Sequence, residues 1–228
     1  MANRIISQWK GYSHLTREAI VAGCIVIFYL VGAIGHAYEV LLPIMITITP
    51  VFLSIFGVIA IVPALLQQQL SFYLWAAVTF AVTFTLEAVG TATGAIFGPY
   101  TYGNVLGPQL FDVPLLIAFN WLLVIIGAAL LVKRFVKVPV LSALITGVIA
   151  AGFDFIMEPT AIALSYWQWE TVKIPLQNYG AWFLIAFAAA LPLDFIELKT
   201  KSLLPSFYMI IQAMYFFILR LVPPGSIG

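Results

Sequence analysis

Apolar residues in this chain neither alternate nor stripe. They come in runs of about 20, separated by short clusters of polar residues, glycine and proline. An α-helix needs about that length to cross a hydrocarbon core roughly 30 Å thick. Seven such runs stand out, at roughly 18–36, 43–66, 70–90, 113–132, 138–157, 180–198 and 203–222. The strict period-two alternation of a transmembrane barrel is missing. The pattern therefore predicts an all-α, polytopic integral membrane protein of about seven transmembrane helices, forming one domain over residues 1–228. Pro43, Pro50 and Pro63 fall in the second run and predict a kinked helix braced by its neighbours.

Composition agrees with this. Of 228 residues, 63% are hydrophobic and 8% charged, whereas soluble domains are about one-quarter charged. A net charge of +1 offers no basic field for nucleic acid, and the single Cys24 cannot form an internal disulfide. Residues 1–17 are polar and basic, without a convincing cleavage site, and are expected to be a cytoplasmic lead-in rather than a signal peptide. Arg4, Lys10, Arg17, Lys133, Arg134, Lys137, Lys199 and Lys201 fall on one side of the predicted topology, and only Lys173 and Arg220 on the other. The positive-inside rule then makes the N-terminus cytoplasmic and places the C-terminus outside.

Two long connections, 91–112 and 158–179, change the picture further. Both are rich in glycine, proline and aromatics yet almost uncharged, and both fall on the outer side. They are expected to fold back into the protein near membrane depth. They also echo each other. Glu87 precedes Tyr100-x-Tyr102 by the same spacing as Asp154 precedes Trp167-x-Trp169, and Pro114 precedes Trp121 as Pro175 precedes Trp182. The echo suggests a parallel internal repeat of 70–132 and 138–198.

Ionisable side chains at membrane depth each cost about 2.5–3.5 kcal/mol on insertion scales, so each needs a reason. Glu87 shares a helical face with Thr79 and Thr83, and Asp154 shares one with Glu158. His36, Glu39 and Asp112 lie toward the same side. Asp112 reads most simply as the N-cap of the helix starting at Val113-Pro114, Glu39 as a headgroup residue, and Glu158 as the end of its helix before Pro159. Glu87 and Asp154 lie deepest and are the strongest functional candidates. Gly90, Gly94 and Gly98 recur at fourth positions and suit close packing against a neighbouring helix. Tyr100, Tyr102, Tyr166, Trp167 and Trp169 fit either an interfacial belt or an aromatic wall around a buried acid.

Absences narrow the chemistry. His14 and His36 are the only histidines, too few for a histidine-rich di-iron centre, and no GxGxxG, P-loop, CxxC or DDxxD-like pair is present. No metal ligand set and no cofactor are expected. Acid–base work on something apolar remains.

The block EAVGTATGAIFGPYTYGNVLGPQLFDVPLLIAFNW at 87–121, followed by DFIMEP and YWQWETVKIPLQNYGAW, resembles the membrane-bound carotenoid hydratase family. The shared elements are E-x-x-G-x-x-T-G-x-x-F-G-x-Y-x-Y, W-x-W and I-P-L-x-N. Glu158-Pro159 departs conservatively from the family's D-x-x-x-D-P. The resemblance implies cofactor-free hydration of the terminal C1,C2 double bond of a carotenoid ψ-end, of the lycopene, γ-carotene or bisanhydrobacterioruberin type. It implies Asp154, Glu87 and Glu158 as catalytic acids, with donor and base interchangeable between Asp154 and Glu87. Tyr100, Tyr102, Tyr166, Trp167, Trp169 and Asn178 would bind substrate. The implied surroundings are the carotenoid, the lipid bilayer and other membrane enzymes of the pathway. Two alternatives stay open: other alkene-protonation chemistry (cyclisation or isomerisation), and a transporter or binding protein for an apolar solute.

Overall fold

A computed structural model describes residues 2–66, 68–200 and 202–228, with side chains from residue 17 onward. The side chains of Arg4, Lys10 and His14, and Lys201, lie outside the described residues. In chain order the elements are α1 (Ala2–Ala37), α2 (Leu42–Leu65), α3 (Leu70–Thr93), β1 (Tyr100–Tyr102), β2 (Gln109–Leu110), β3 (Val113–Pro114), α4 (Leu115–Val132), α5 (Pro139–Ala163), β4 (Trp167–Trp169), α6 (Leu176–Leu193) and α7 (Leu204–Leu221). All seven helices are long and apolar enough to span a membrane. The chain is a polytopic helical membrane protein.

α4 is apolar all round but for Asn120, and it is the helix the others surround. It is buried along nearly its whole length and touches α2, α3, α5, α6 and α7. Two polar links tie it to α7: Gln212 Nε2 donates to Asn120 Oδ1 at 2.7 Å, and Ser206 Oγ donates to Gly127 O at 2.7 Å. α5 and α6 pack more closely than side chains would allow. A Cβ at Gly147 would stand 2.8 Å from Phe183 O.

The membrane spans depart furthest from the expected runs at two helices, α5 and α6, for local reasons. α5 continues through Pro159 to Ala163, so Glu158 does not end the helix. A proline removes one N–H and frees the carbonyl four residues back, here that of Phe155. Arg220 of α7 reaches that oxygen at 3.5 Å and lays its guanidinium over the Phe155 ring at 5.1 Å. α6 starts at Leu176, immediately after Pro175, and stops at Leu193, four to five residues ahead of the expected 180–198. In α2, Pro50 and Pro63 lie inside a continuous helix, while Pro43 sits harmlessly in its first turn.

The up–down order gathers the ends of α1, α3, α5 and α7 and the starts of α2, α4 and α6 at one pole. The C-terminal tail is fastened there, where Glu39 N donates to Ile227 O at 2.9 Å. Both long connections fold over this pole and pair: β1 runs antiparallel to β4, with Tyr100 opposite Trp169 and Tyr102 opposite Trp167. β2 and β3 form a second small ladder closed by Phe111 (φ 51°) and Asp112 (φ 61°), the two left-handed residues of a type I′ turn. Asp112 is therefore a turn residue, not an N-cap; α4 begins after Pro114 with no side-chain cap. The Gly90, Gly94 and Gly98 series also serves the loop rather than a neighbouring helix. Phe97 covers Gly90, Gly94 (φ 67°) ends α3, and Gly98 (φ 104°) lies under Pro175 and Trp169. At the opposite pole Lys133 pairs with Asp194 at 3.3 Å.

Gly147→Ala should force α5 from α6 at a backbone carbonyl, at a cost of about 1–3 kcal/mol. Thermal unfolding in detergent should show a fall of at least about 2 °C. Gly152→Ala, which meets open space, should show none.

Candidate active site

Each long helix at the loop-bearing pole brings one kind of group. The buried face of α3 carries Thr79, Thr83 and, toward its C-terminal end, Glu87. On α5, Asp154 and Glu158 lie one turn apart and face the same way. All three acids are buried, with exposures of 2%, 1% and 2%. α6 adds Asn178, also buried, from its first turn.

Pairing of β1 with β4 determines how these acids are met. Side chains alternate along a strand, so Tyr100, Tyr102, Trp167 and Trp169 share one face of the small ladder. That face lies over the carboxyl groups. Glu87 Oε2 accepts hydrogen bonds from the phenols of Tyr100 and of Tyr102, the latter at 2.8 Å. Glu158 Oε2 accepts from both indoles, Trp167 Nε1 at 3.0 Å and Trp169 Nε1 at 2.9 Å. Asn178 Nδ2 bridges the other two acids, donating to Asp154 Oδ2 at 2.5 Å and to Glu158 Oε1 at 3.1 Å. Burial first, and the Glu87 carboxyl second, push the Tyr100 and Tyr102 phenols well above their ordinary range. They stay neutral donors at any physiological pH.

The pocket floor is aromatic as well. Trp121 stacks on Trp182 at 3.4 Å between centroids and 14° between planes, and Phe97 stacks on the other side of Trp182 at 5.1 Å. Ile117 and Met157 complete the lining, which among the described residues contains no Lys, Arg or His. The space between these side chains is about 20 Å³, the size of one water. Among the described residues no three His, Cys, Asp or Glu side chains converge to hold a metal ion.

Eight residues singled out from sequence thus meet in one place: Glu87, Tyr100, Tyr102, Asp154, Glu158, Trp167, Trp169 and Asn178. Tyr166 does not join them. It is buried beside Thr49, Tyr29 and Tyr215, under α1, α2 and α7. His36 belongs to that second group, with Gly32 O at 2.8 Å, Tyr215 Oη at 3.1 Å and Thr49 Oγ1 at 3.4 Å. Glu39 and Asp112 are exposed. Trp121, Trp182, Ile117 and Met157 are additions that sequence reading did not assign to the pocket. The Pro-to-Trp echo contains the two tryptophans, and Met157 lies three residues after Asp154 on α5.

A family model described as carotenoid biosynthesis protein matches residues 48–222. A curated relative from Haloarcula japonica, named bisanhydrobacterioruberin hydratase, is 31% identical over 190 residues. That alignment covers 75% of this chain and 63% of the relative, so the chain spans just under two-thirds of that protein's length. No solved structure matches. The chain belongs to the carotenoid biosynthesis protein family.

Removing a donor from a buried carboxyl costs about 1–3 kcal/mol. Trp167→Phe and Trp169→Phe should therefore each lower the melting temperature in detergent by a few degrees. Asn178→Leu, which strips a donor from two acids, should lower it furthest. An Asn178→Leu protein as stable as the parent would mean the network holds nothing.

Proposed function

We propose that this member of the carotenoid biosynthesis family hydrates the terminal C1,C2 double bond of a carotenoid ψ-end, giving a tertiary alcohol. One observation carries the reading: three buried carboxyl groups, with no cation among the lining residues, surround a water-sized space walled by aromatic rings. The Haloarcula japonica relative, a bisanhydrobacterioruberin hydratase by name, points to the same reaction class.

The roles follow from what each acid already accepts. Glu158 takes three N–H donors and is fitted to remain an anion. Glu87 takes two phenolic O–H donors on one oxygen. Asp154 takes a single amide N–H, so its protonated form gives up least, and like charges this close cannot all ionise. In the proposed cycle the Asp154 proton is transferred to C2 as the C1,C2 π bond breaks, leaving a tertiary cation at C1. The electron-rich faces of Tyr100, Tyr102, Trp167 and Trp169 stabilise that charge. Water adds its oxygen to C1 and loses a proton to Glu87. Return of that proton to Asp154 closes the cycle, with one water consumed and no change of oxidation state.

Glu87→Gln and Asp154→Asn should each reduce the hydroxylated product at least 100-fold in a lycopene-producing host, while protein still accumulates in membranes, because positioned acid–base groups contribute about 10²–10⁴-fold. Lys199→Ala, at the far pole, should leave the product profile unchanged. Mass spectrometry of extracted pigments reads the outcome. A gain of one water supports hydration; a cyclised or isomerised product of unchanged mass, or full activity in either acid variant, overturns the assignment.

The orientation and the repeat belong to the same reading. Arg17, Lys133, Arg134, Lys137 and Lys199 lie at the pole away from the pocket, which supports a cytoplasmic N-terminus and an outward-facing site. A parallel repeat of 70–132 and 138–198 is supported by the β1–β4 register, symmetric about Thr101 and Gln168, and by the stacked Trp121 and Trp182. Topology reporters inserted at 104 and at 172 should both report the outer side, and one at 135 the inner side. Inward reports from both loops overturn the orientation, and opposite reports from the two overturn the parallel arrangement.

A further inference from the structure

A pocket with room for one water cannot hold the body of a long substrate, so the chain must lie elsewhere and present only its end. Three grooves open along the apolar sides of the bundle. One, of about 610 Å³, lies between α2 and α4, and one of about 450 Å³ involves α5 and α7. The third, of about 340 Å³, runs between α3 and α6.

Only the third has walls that both turn into walls of the acid pocket. On α3 its wall is Trp75, Val78, Thr79, Val82, Thr83 and Leu86, and one turn beyond Thr83 comes Glu87. On α6 its wall is Leu184, Ile185, Ala188, Ala189 and Pro192, and one turn before Ile185 comes Trp182. The α7 wall of the α5–α7 groove, from Met209 to Phe217, gives no residue to the acid pocket, and the α2–α4 groove is capped by Leu106, Gly107 and Pro108 of the loop.

The α3–α6 groove is also built to stay open. Trp75 Nε1 donates to Ala189 O at 2.7 Å and ties the two helices at its far end. At the near end Phe97 bridges them, packed on Gly90 of α3 and stacked on Trp182 of α6. Toward the Trp75 tie the α6 side carries Ala188 and Ala189, which leaves depth there. The Thr83 hydroxyl is turned onto its own helix, donating to Thr79 O at 2.9 Å, so the face toward the groove is apolar. From Trp75 to Glu87 the straight run is about 18 Å at 1.5 Å per residue.

We propose that the α3–α6 groove seats the apolar body of the substrate, a rigid conjugated polyene, and delivers its end to Glu87. This rests on the hydration reading for the identity of the occupant. A straight groove with apolar walls running along two helices suits a rod that cannot bend, and its open side gives access from the lipid.

Lycopene is the probe, added to purified protein in detergent, with induced circular dichroism in its visible bands as the readout of binding. The parent protein and Glu87→Gln should both show the induced bands, although the latter makes no product. Ala188→Trp and Val82→Trp, which fill the groove from opposite walls, should weaken binding at least tenfold. Ser54→Trp and Ala213→Trp, which fill the other two grooves, should bind as the parent does. Each variant is first checked for an unchanged melting temperature, with Ala188→Phe and Val82→Phe replacing any that unfolds. Loss of the bands in Ser54→Trp or Ala213→Trp with retention in the α3–α6 variants overturns the proposal, as does a parent protein that induces no bands. Bands that behave as expected with no hydrated product from the parent would leave the groove standing and remove the hydration reading.

Discussion

Carboxyl groups buried inside a membrane protein must find hydrogen-bond donors within the protein, because neither lipid nor bulk water supplies them. Three such groups meet here without a basic partner among the residues that line their pocket, and the loop architecture answers that need. Two three-residue strands from distant connections pair in one register and point two phenols and two indoles at the acids. Without that pairing Glu87 and Glu158 would keep few donors or none. The helices bring the acids together, and the ladder makes their burial tolerable.

The rest of the loop-bearing pole follows from this demand. Position 98 takes glycine on two counts: its φ is positive, and Pro175 and Trp169 occupy the space where a Cβ would go. A Cβ on Gly103 would strike Ser165 O, beside the point where Gly103 N donates to Tyr166 O at 2.9 Å and extends the ladder. The Trp121–Trp182 stack closes the floor and joins α4 to α6 at the depth of the acids. The same aromatic density that excludes lipid from the carboxyl groups also limits the space between the side chains to about one water. A substrate end can enter only if part of this wall moves, and Trp182, which lines the pocket one turn before the groove residue Ile185, stands between the two.

The helices were legible in the sequence because a run of 20 apolar residues has few other fates. The acids were legible because charge at that depth is costly, and the aromatic pairs because their spacing repeats. What could not be read was set by contacts between distant segments. Nothing local to Pro159 announces that α5 continues past it, since Arg220 reaches the freed carbonyl from more than 60 residues away. Asp112 fits an N-cap equally well until the β2–β3 ladder makes it a turn residue. Tyr166 sits next to Trp167 yet lies outside the β4 strand, and its ring goes to the Thr49 side instead. The short strands were invisible for the same reason: three residues carry no period.

The sequence echo pairs Glu87 with Asp154, but the hydrogen bonds pair Glu87 with Glu158, since each of these takes two donors from its own aromatic pair. The two sets of donors differ in kind. An indole N–H only donates, so Trp167 and Trp169 fasten Glu158 as an acceptor and give it no route for a proton. A phenol both donates and accepts, so Tyr100 and Tyr102 can follow Glu87 through gain and loss of a proton by rotating a hydroxyl. On the hydration reading the site is then asymmetric where it needs to be. Glu158 and Asn178 form a fixed anchor, and Asp154 and Glu87 are the pair free to trade a proton. Substituting Trp for Tyr at 100 and 102 would give Glu87 the same inert anchoring as Glu158, keeping the aromatic wall while removing the partner that adjusts to its protonation.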